Sequence, residues 1–196
     1  MEKQAKMVTE AEERWKCIKQ LSDVASGAPP LRIPLEAFVQ MRVFDTIIAR
    51  ANIHLRVMTD SRYELRRREV SDGGRGLDGL ELNVYDRWSG MERKVQSISG
   101  GESFMASLSL AIGLSEEIQA NAGGVRLESM FIDEGFGSLD HESLQLVMKA
   151  LNSLLDSDRL IGIISHVDVL KSNITNQLVI EKNAKNGHSQ VHIRQT

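Results

Sequence analysis

The chain holds one cysteine, Cys17, so no disulfide can form within it. It has no apolar run long enough to span a bilayer and no secretory leader; the expectation is a cytoplasmic protein without a membrane anchor, which by itself does not exclude a membrane partner. An excess of basic residues is missing too. With 24 Lys and Arg against 27 Asp and Glu the formal net charge is −3, so nucleic-acid binding would have to come from a local basic patch rather than from an overall field. Aromatic residues make up 5%, which leaves few for stacking on single strands. Internal repeats and low-complexity tracts are absent. What remains, 41% hydrophobic and 26% charged over 196 residues, is the composition of one globular domain, or one domain plus an extension, and argues against disorder.

Residues 2–26 are charged and helix-favouring, with Val8, Ala11, Trp15, Ile18 and Ala25 on one narrow stripe. Two readings fit it: a surface helix packed on its own domain, or the last turns of a coiled coil. The breaker cluster Gly27-Ala28-Pro29-Pro30 ends the helix either way. From Pro34 to about Thr59 a second helix is predicted, with a wider apolar face of Phe38, Met41, Phe44, Ile48, Ala51, Leu55 and Met58. The period then changes to that of strands. Tyr63 to Val70 and Leu80 to Val84, separated by glycines 73, 74, 76 and 79, predict a hairpin with a long loop, and Asp86 to Gly90 is a second turn leading into Arg93-Lys94-Val95-Gln96.

A third helix carries Phe104, Leu108, Ala111, Ile112, Ser115 and Ile118 on one face and ends before Gly123-Gly124. Met130 to Ile132 reads as a short buried strand. Leu144, Val147, Met148, Leu151 and Leu155 make an amphipathic helix with Asp140 as N-cap, and Leu160 to Ile164 reads as a second buried strand. Strand, helix, strand is a βαβ unit with parallel strands, so the predicted fold class is α/β, a parallel sheet core flanked by helices. Gln177 to Glu181 and Gln190 to Arg194 are predicted edge strands.

Residues suited to phosphate chemistry gather between positions 97 and 140. Ser97-Ile98-Ser99-Gly100-Gly101-Glu102 stands immediately before the third helix, where free backbone N–H groups and a helix N-terminus can face an anion. Ser99-x-x-Glu102 also fits a capping box, with Ser99 accepting from the Glu102 N–H and the Glu102 side chain reaching back to the Ser99 N–H. The box does not require the two glycines, each of which weakens a helix start by up to roughly 1 kcal/mol relative to alanine. Close approach of a phosphate to the backbone accounts for them. Asp133 and Glu134 follow the first short strand and His166 follows the second. Ligands of open parallel sheets sit beyond the C-terminal strand ends, where these three side chains would converge. Adjacent carboxylates there suit a metal and a water; the alternatives are a helix cap or ion pair for the carboxylates and a satisfied strand-end histidine.

SISGGE, then MFIDEGFGSLD, then IISHV resemble the signature motif, Walker B segment, D-loop and switch histidine of an ATP-binding-cassette ATPase. Within that superfamily the likeness is to the SbcC family of SMC-like DNA-repair ATPases, and it extends from about Gly27 to Ile180. Phe136-Gly137-Ser138 differs from what most transporter cassettes carry there, which argues against a transporter subunit. The resemblance implies that residues 1–26 are the end of a coiled-coil arm and residues 27–196 the C-terminal ATPase lobe of a P-loop ATPase head. No Gly-x-x-x-x-Gly-Lys-Ser/Thr occurs in the sequence, so the chain has no phosphate-cradling loop of its own. In the family that loop lies on an N-terminal lobe, and the resemblance implies half a head, inactive alone, with an unpaired sheet face or edge where the other lobe belongs.

The same resemblance implies roles for the matching residues. Asp133 would hold a magnesium ion, Glu134 would polarise the attacking water, and His166 would stabilise the γ-phosphate. Ser99, Gly100, Gly101 and Glu102 would meet ATP bound by a second head, and Asp140 would face that head across the interface. Implied partners are the Walker A lobe, the second head, an SbcD-type nuclease and DNA. The residues themselves support DNA contact less. Arg66, Arg67 and Arg68 alternate faces on a strand, and a solvated edge strand explains them as well as a patch extended by Arg87, Arg93 and Lys94 does. A structural DNA clamp shares the motifs; a transporter cassette does not account for residues 2–26.

Overall fold

The computed structural model describes residues 2–27, 33–68, 80–121, 128–155, 160–182 and 188–195. Two long helices, α1 (Glu2–Ala25) and α2 (Leu35–Met58), lead into an antiparallel meander of β1 (Tyr63–Arg67), β2 (Leu82–Asp86) and β3 (Met91–Lys94). A 3-10 turn, Val95–Ser97, precedes α3 (Gly100–Asn121). Then come β4 (Ser129–Asp133), a second 3-10 turn (Phe136–Ser138), α4 (His141–Leu155), β5 (Leu160–Ile164), the short α5 (Asp168–Asn173), and β6 (Asn176–Lys182) with β7 (Ser189–Gln195).

The core is built around α2, which packs against α3, β1 and α4. Ala51, Leu55 and Met58 of α2 meet Leu65, Val84, Ile112 and Val147 in one buried cluster. The approach of α2 to α3 is closest at Gly113, where a β-carbon would lie 2.7 Å from the Ala51 nitrogen. Polar groups lock the same pair of helices: Arg50 Nε donates to Glu117 at 2.8 Å, and His54 Nε2 lies 2.9 Å from Glu116 Oε1. Buried Asn52 stands in for a missing strand on β1, its amide donating to the Leu65 carbonyl at 2.9 Å while its oxygen accepts the Leu65 N–H at 2.7 Å. An unpaired strand edge in the core is thereby satisfied by one side chain.

Strand β4 pairs in parallel with β5, from Ser129↔Leu160 to Asp133↔Ile164, with α4 as the crossover. Neither strand is buried as the sequence predicts. Side chains alternate faces, so Ile132 enters the core while Phe131 is 69% exposed, and Leu160 and Ile164 are exposed at the strand ends. Among the described residues β4 and β5 pair only with each other, and their outward face carries no cover. The Phe131 ring lies across its neighbour Gly162, where a β-carbon would come within 2.5 Å. The predicted edge strands do not extend this sheet: β6 and β7 satisfy each other through seven antiparallel pairs, Asn176↔Gln195 to Lys182↔Ser189. Strands close in sequence pair as a hairpin, and Leu178, Ile180, Val191 and Ile193 are left exposed.

Other departures are local. Phe38 is exposed, because α2 buries only Ala37 and Met41 in its first two turns. Ala111 and Ile118 of α3 are also exposed; the helix buries its small residues Ser109 and Gly113 instead, Gly113 against α2. Trp15 and Ile18 stand exposed on α1, so the stripe on that helix is not packed on its own domain among the described residues. Strand β1 ends at Arg67, and β3 is a third strand of the meander. The glycines at 73, 74, 76, 79, 123 and 124, Ala28-Pro29-Pro30, and the side chains of Val8 and Leu155 lie outside the described residues.

Candidate functional site

At the start of α3 the capping box forms as the spacing predicts. The Ser99 N–H donates to Glu102 Oε2 at 2.9 Å, and the Glu102 N–H donates to Ser99 Oγ at 3.3 Å. The second carboxylate oxygen, Oε1, accepts a hydrogen bond from the Tyr63 hydroxyl. Burial alone would raise the Glu102 carboxyl, but Tyr63, Ser99 and the nearby Arg62 charge outweigh it and hold the group below the usual carboxylate range. Burial, helped by Glu102, pushes the Tyr63 phenol up to about 12. Both oxygens of Glu102 are thus engaged inside the chain. In this arrangement Glu102 holds the turn, as the capping box requires.

The two glycines have different neighbours. A β-carbon at Gly101 would come within 2.9 Å of the Ser138 carbonyl oxygen, whereas one at Gly100 would meet only Ser138 Cβ, at 3.7 Å. Gly101 is therefore required by the chain's own packing, and Gly100 is not. The same loop is held from the other side by aromatic contact. Phe104, in the first turn of α3, meets buried Phe136 edge to face with centroids 5.0 Å apart. Gly135, at φ +91°, leaves room for the Phe104 ring, which a β-carbon would overlap. Sequence reasoning missed this lock and the Tyr63 bond, since neither leaves a local pattern.

At the C-terminal ends of β4 and β5 two of the three predicted side chains, Glu134 and His166, come together. Glu134 adopts φ +57°, a left-handed conformation that a non-glycine residue holds only when its surroundings fix it. Its N–H continues the ladder to the Ile164 carbonyl at 2.8 Å. The tight turn leaves the Glu134 carboxylate exposed, with Oε1 3.6 Å from His166 Nδ1, too long for a direct hydrogen bond and short enough for a shared water. A β-carbon at Gly137 would lie 3.9 Å from His166 Nε2, so the loop passes beside the histidine. Asp133 ends β4, exposed. Asp140 caps α4, accepting from the Ser143 N–H at 2.8 Å, and that bond holds its carboxyl below the usual range.

Among the described residues no three His, Cys, Asp or Glu side chains are arranged to hold a metal. Asp133 fits magnesium as one carboxylate beside waters and phosphate oxygens, which is how that ion is commonly held. The sequence carries no Gly-x-x-x-x-Gly-Lys-Ser/Thr loop that would cradle a triphosphate.

The basic patch is largely neutralised. Arg66 pairs with Glu64 at 3.3 Å, Arg67 with Asp45 at 2.7 Å, Arg87 with Glu64 at 2.6 Å, and Arg68 with Glu81. Asp86, 2% exposed, takes Arg62 through both oxygens at 3.3 and 3.1 Å and Arg93 at 3.1 Å. The Arg62 hydrogen bond pulls the Asp86 carboxyl down to about 2, against the opposing effect of burial and with help from the Trp88 N–H. A carboxyl lowered on folding contributes stability that is present above its unfolded value and lost as pH falls through the folded one. Urea unfolding should therefore show stability declining from about pH 4 towards pH 2, a component that disappears in Asp86→Asn.

The sequence model for SbcC/RAD50-like, Walker B motif matches residues 77–153. The SbcC subunit of the SbcCD nuclease from Staphylococcus aureus strains JH9 and Newman is 48% identical over 164 residues, 84% of this chain and 16% of that protein. The chain thus spans about a sixth of the length of these curated relatives. In fold it is similar to the Smc head domain with an extended coiled coil bound to the C-terminal domain of ScpA, from Pyrococcus furiosus. That match has a TM-score of 0.62 at 16% identity and covers 98% of this chain and 43% of the other. A chain from a structural study of ATP-driven dimerization and DNA-stimulated activation of SMC ATPases gives 0.61 at 17% identity, covering 80% and 88%. Among the described residues no helix is long and apolar enough to cross a membrane.

Proposed function

We propose that this chain, similar in sequence to the SbcC nuclease subunits and in fold to the SMC heads, is the C-terminal lobe of an SbcC-like ATPase head. It works with a Walker A lobe of the same protein, and residues 1–26 are the returning end of the arm. The observation that carries this reading is the meeting of Glu134 and His166 beyond two parallel strands, in a chain without a phosphate loop.

Bound ATP supplies the phosphoanhydride and magnesium the charge that offsets it. Asp133 would hold the ion. Glu134 orients and polarises the attacking water, and His166, 3.6 Å from that carboxylate, stabilises charge at the γ-phosphate. Ser99, Gly100 and Gly101 face the nucleotide of a second head; at Gly100 the chain's own packing would accept a β-carbon, so it does not account for the glycine. Asp140 lies on the same interface. A ligand bound only by the engaged pair favours that pair, and its hydrolysis releases it. The reading is an ATP-gated head whose arm transmits engagement to an SbcD-type nuclease acting on DNA ends or hairpins. A structural clamp is the weaker reading, since the SMC likeness is one of fold alone while the sequence likeness is to nuclease subunits.

The test is to mix this chain with a separately expressed N-terminal lobe. Magnesium-dependent turnover is expected from the mixture, none above background from the chain alone, and none from the mixture carrying Ser99→Arg. Multiple turnover by the chain alone, abolished by Glu134→Gln, would overturn the half-site.

A further inference from the structure

The signature turn is held from outside its own helix. Tyr63, 4% exposed, opens β1 and donates its hydroxyl to Glu102 Oε1, while Glu102 Oε2 accepts the Ser99 N–H at 2.9 Å. Tyr63 is fixed in turn: its backbone N–H donates to Thr59 Oγ1 at 3.3 Å, and the Arg62 guanidinium sits 4.6 Å from its ring centroid. That guanidinium is clamped by Asp86 and also stacks 4.5 Å from the ring of Trp88, which is 73% exposed at the β2–β3 turn. A capping box by itself leaves one carboxylate oxygen free and the side chain able to rotate away. Here that oxygen is occupied by a rigid, buried donor.

The geometry points to Tyr63 as a positioning residue for the nucleotide-contacting turn. It acts through Glu102 to fix Ser99 in the orientation that a phosphate on the opposite head requires. The inference rests on the role of Ser99 proposed above. Tyr63 touches no nucleotide, so losing its hydroxyl weakens engagement of the second head rather than the chemical step. The stack of Trp88 on Arg62 makes the β2–β3 turn the outer end of the same chain of contacts.

Tyr63→Phe removes only the hydroxyl and keeps the buried ring. The assay uses the complex of this chain with its N-terminal lobe. Without nucleotide, amide hydrogen exchange at Ser99 should accelerate up to about tenfold, the scale of one net hydrogen bond, with amides of α4 unchanged. With ATP, the concentration giving half-maximal head association should rise by a similar factor while kcat at saturation is retained. In a double-mutant cycle, Tyr63→Phe should add nothing to Glu102→Ala. Uniformly faster exchange across the fold, unchanged exchange at Ser99, or additive effects in the cycle would each overturn the proposal. If the exchange difference appears but the wild-type complex shows no response to ATP, the nucleotide reading of Ser99 fails and the structural coupling stands alone.

Discussion

Glu134→Gln in the two-lobe complex is expected to lower ATP turnover by about 10²-fold or more, the usual contribution of a positioned base, while ATP-dependent association of heads persists. Glutamine has the shape of glutamate and tolerates the φ +57° backbone no worse, and the N–H bond to Ile164 at 2.8 Å belongs to the main chain. The substitution therefore removes charge and basicity at one point, 3.6 Å from His166, without disturbing the strand ends. Steady-state turnover and light scattering with ATP separate the two effects. A loss of less than about tenfold would take the base's role away from Glu134, and loss of association along with turnover would show that the carboxylate is needed to assemble the site.

Much of that site is visible in sequence because its parts are local. Ser99 and Glu102 are three residues apart and form their box within one turn; Asp133, Glu134 and His166 follow strands whose parallel pairing brings their ends together. Other parts are not local. Tyr63 is 39 residues from Glu102, and nothing in the period of β1 says that its first side chain will reach the signature turn. Gly101 reads as space for a phosphate, yet its nearest constraint is the Ser138 carbonyl. The arginine-rich surface reads as a patch from composition, but apart from Arg66, which pairs with Glu64 two residues away, the partners are set by tertiary pairing, as Asp45 is for Arg67 across 22 residues.

The fold shows the same division. Helices α2, α3 and α4 follow from periodicity, and the bounds of α2 agree with Pro34 and Thr59 as its caps. Burial does not follow. An apolar run such as Met130 to Ile132 predicts a strand covered on both faces, whereas exposed Phe131 shows one face bare in this chain. Periodicity reports what a segment can bury; what is present to cover it depends on the rest of the assembly. Under the proposed reading, the Walker A lobe is the element to lie there.

Gly113→Ala is expected to lower the stability of the chain by about 2 kcal/mol, opposite in sign to the same change in an isolated helix. At an unpacked helix position alanine gains about 1 kcal/mol over glycine. At Gly113 the new methyl would sit 2.7 Å from the Ala51 nitrogen, 2.8 Å from the Ile47 oxygen and 3.0 Å from the Ala51 Cα. These are backbone atoms that no rotamer change can move, so α2 and α3 must separate. Overpacking of a core costs about 1–3 kcal/mol, and a backbone clash belongs at or above the upper end, which leaves about 2 kcal/mol after the helix gain. Separation also stretches the Arg50–Glu117 and His54–Glu116 contacts, so Gly113→Leu should cost more than Gly113→Ala. Urea unfolding with an unchanged m-value measures the effect, and unchanged or raised stability for Gly113→Ala would mean that the two helices are free to part. Because α2 follows α1 and α3 is capped by Ser99, their spacing also sets where the signature turn lies relative to the arm. ATP-dependent head association should accordingly weaken in Gly113→Ala even at temperatures where the variant is fully folded.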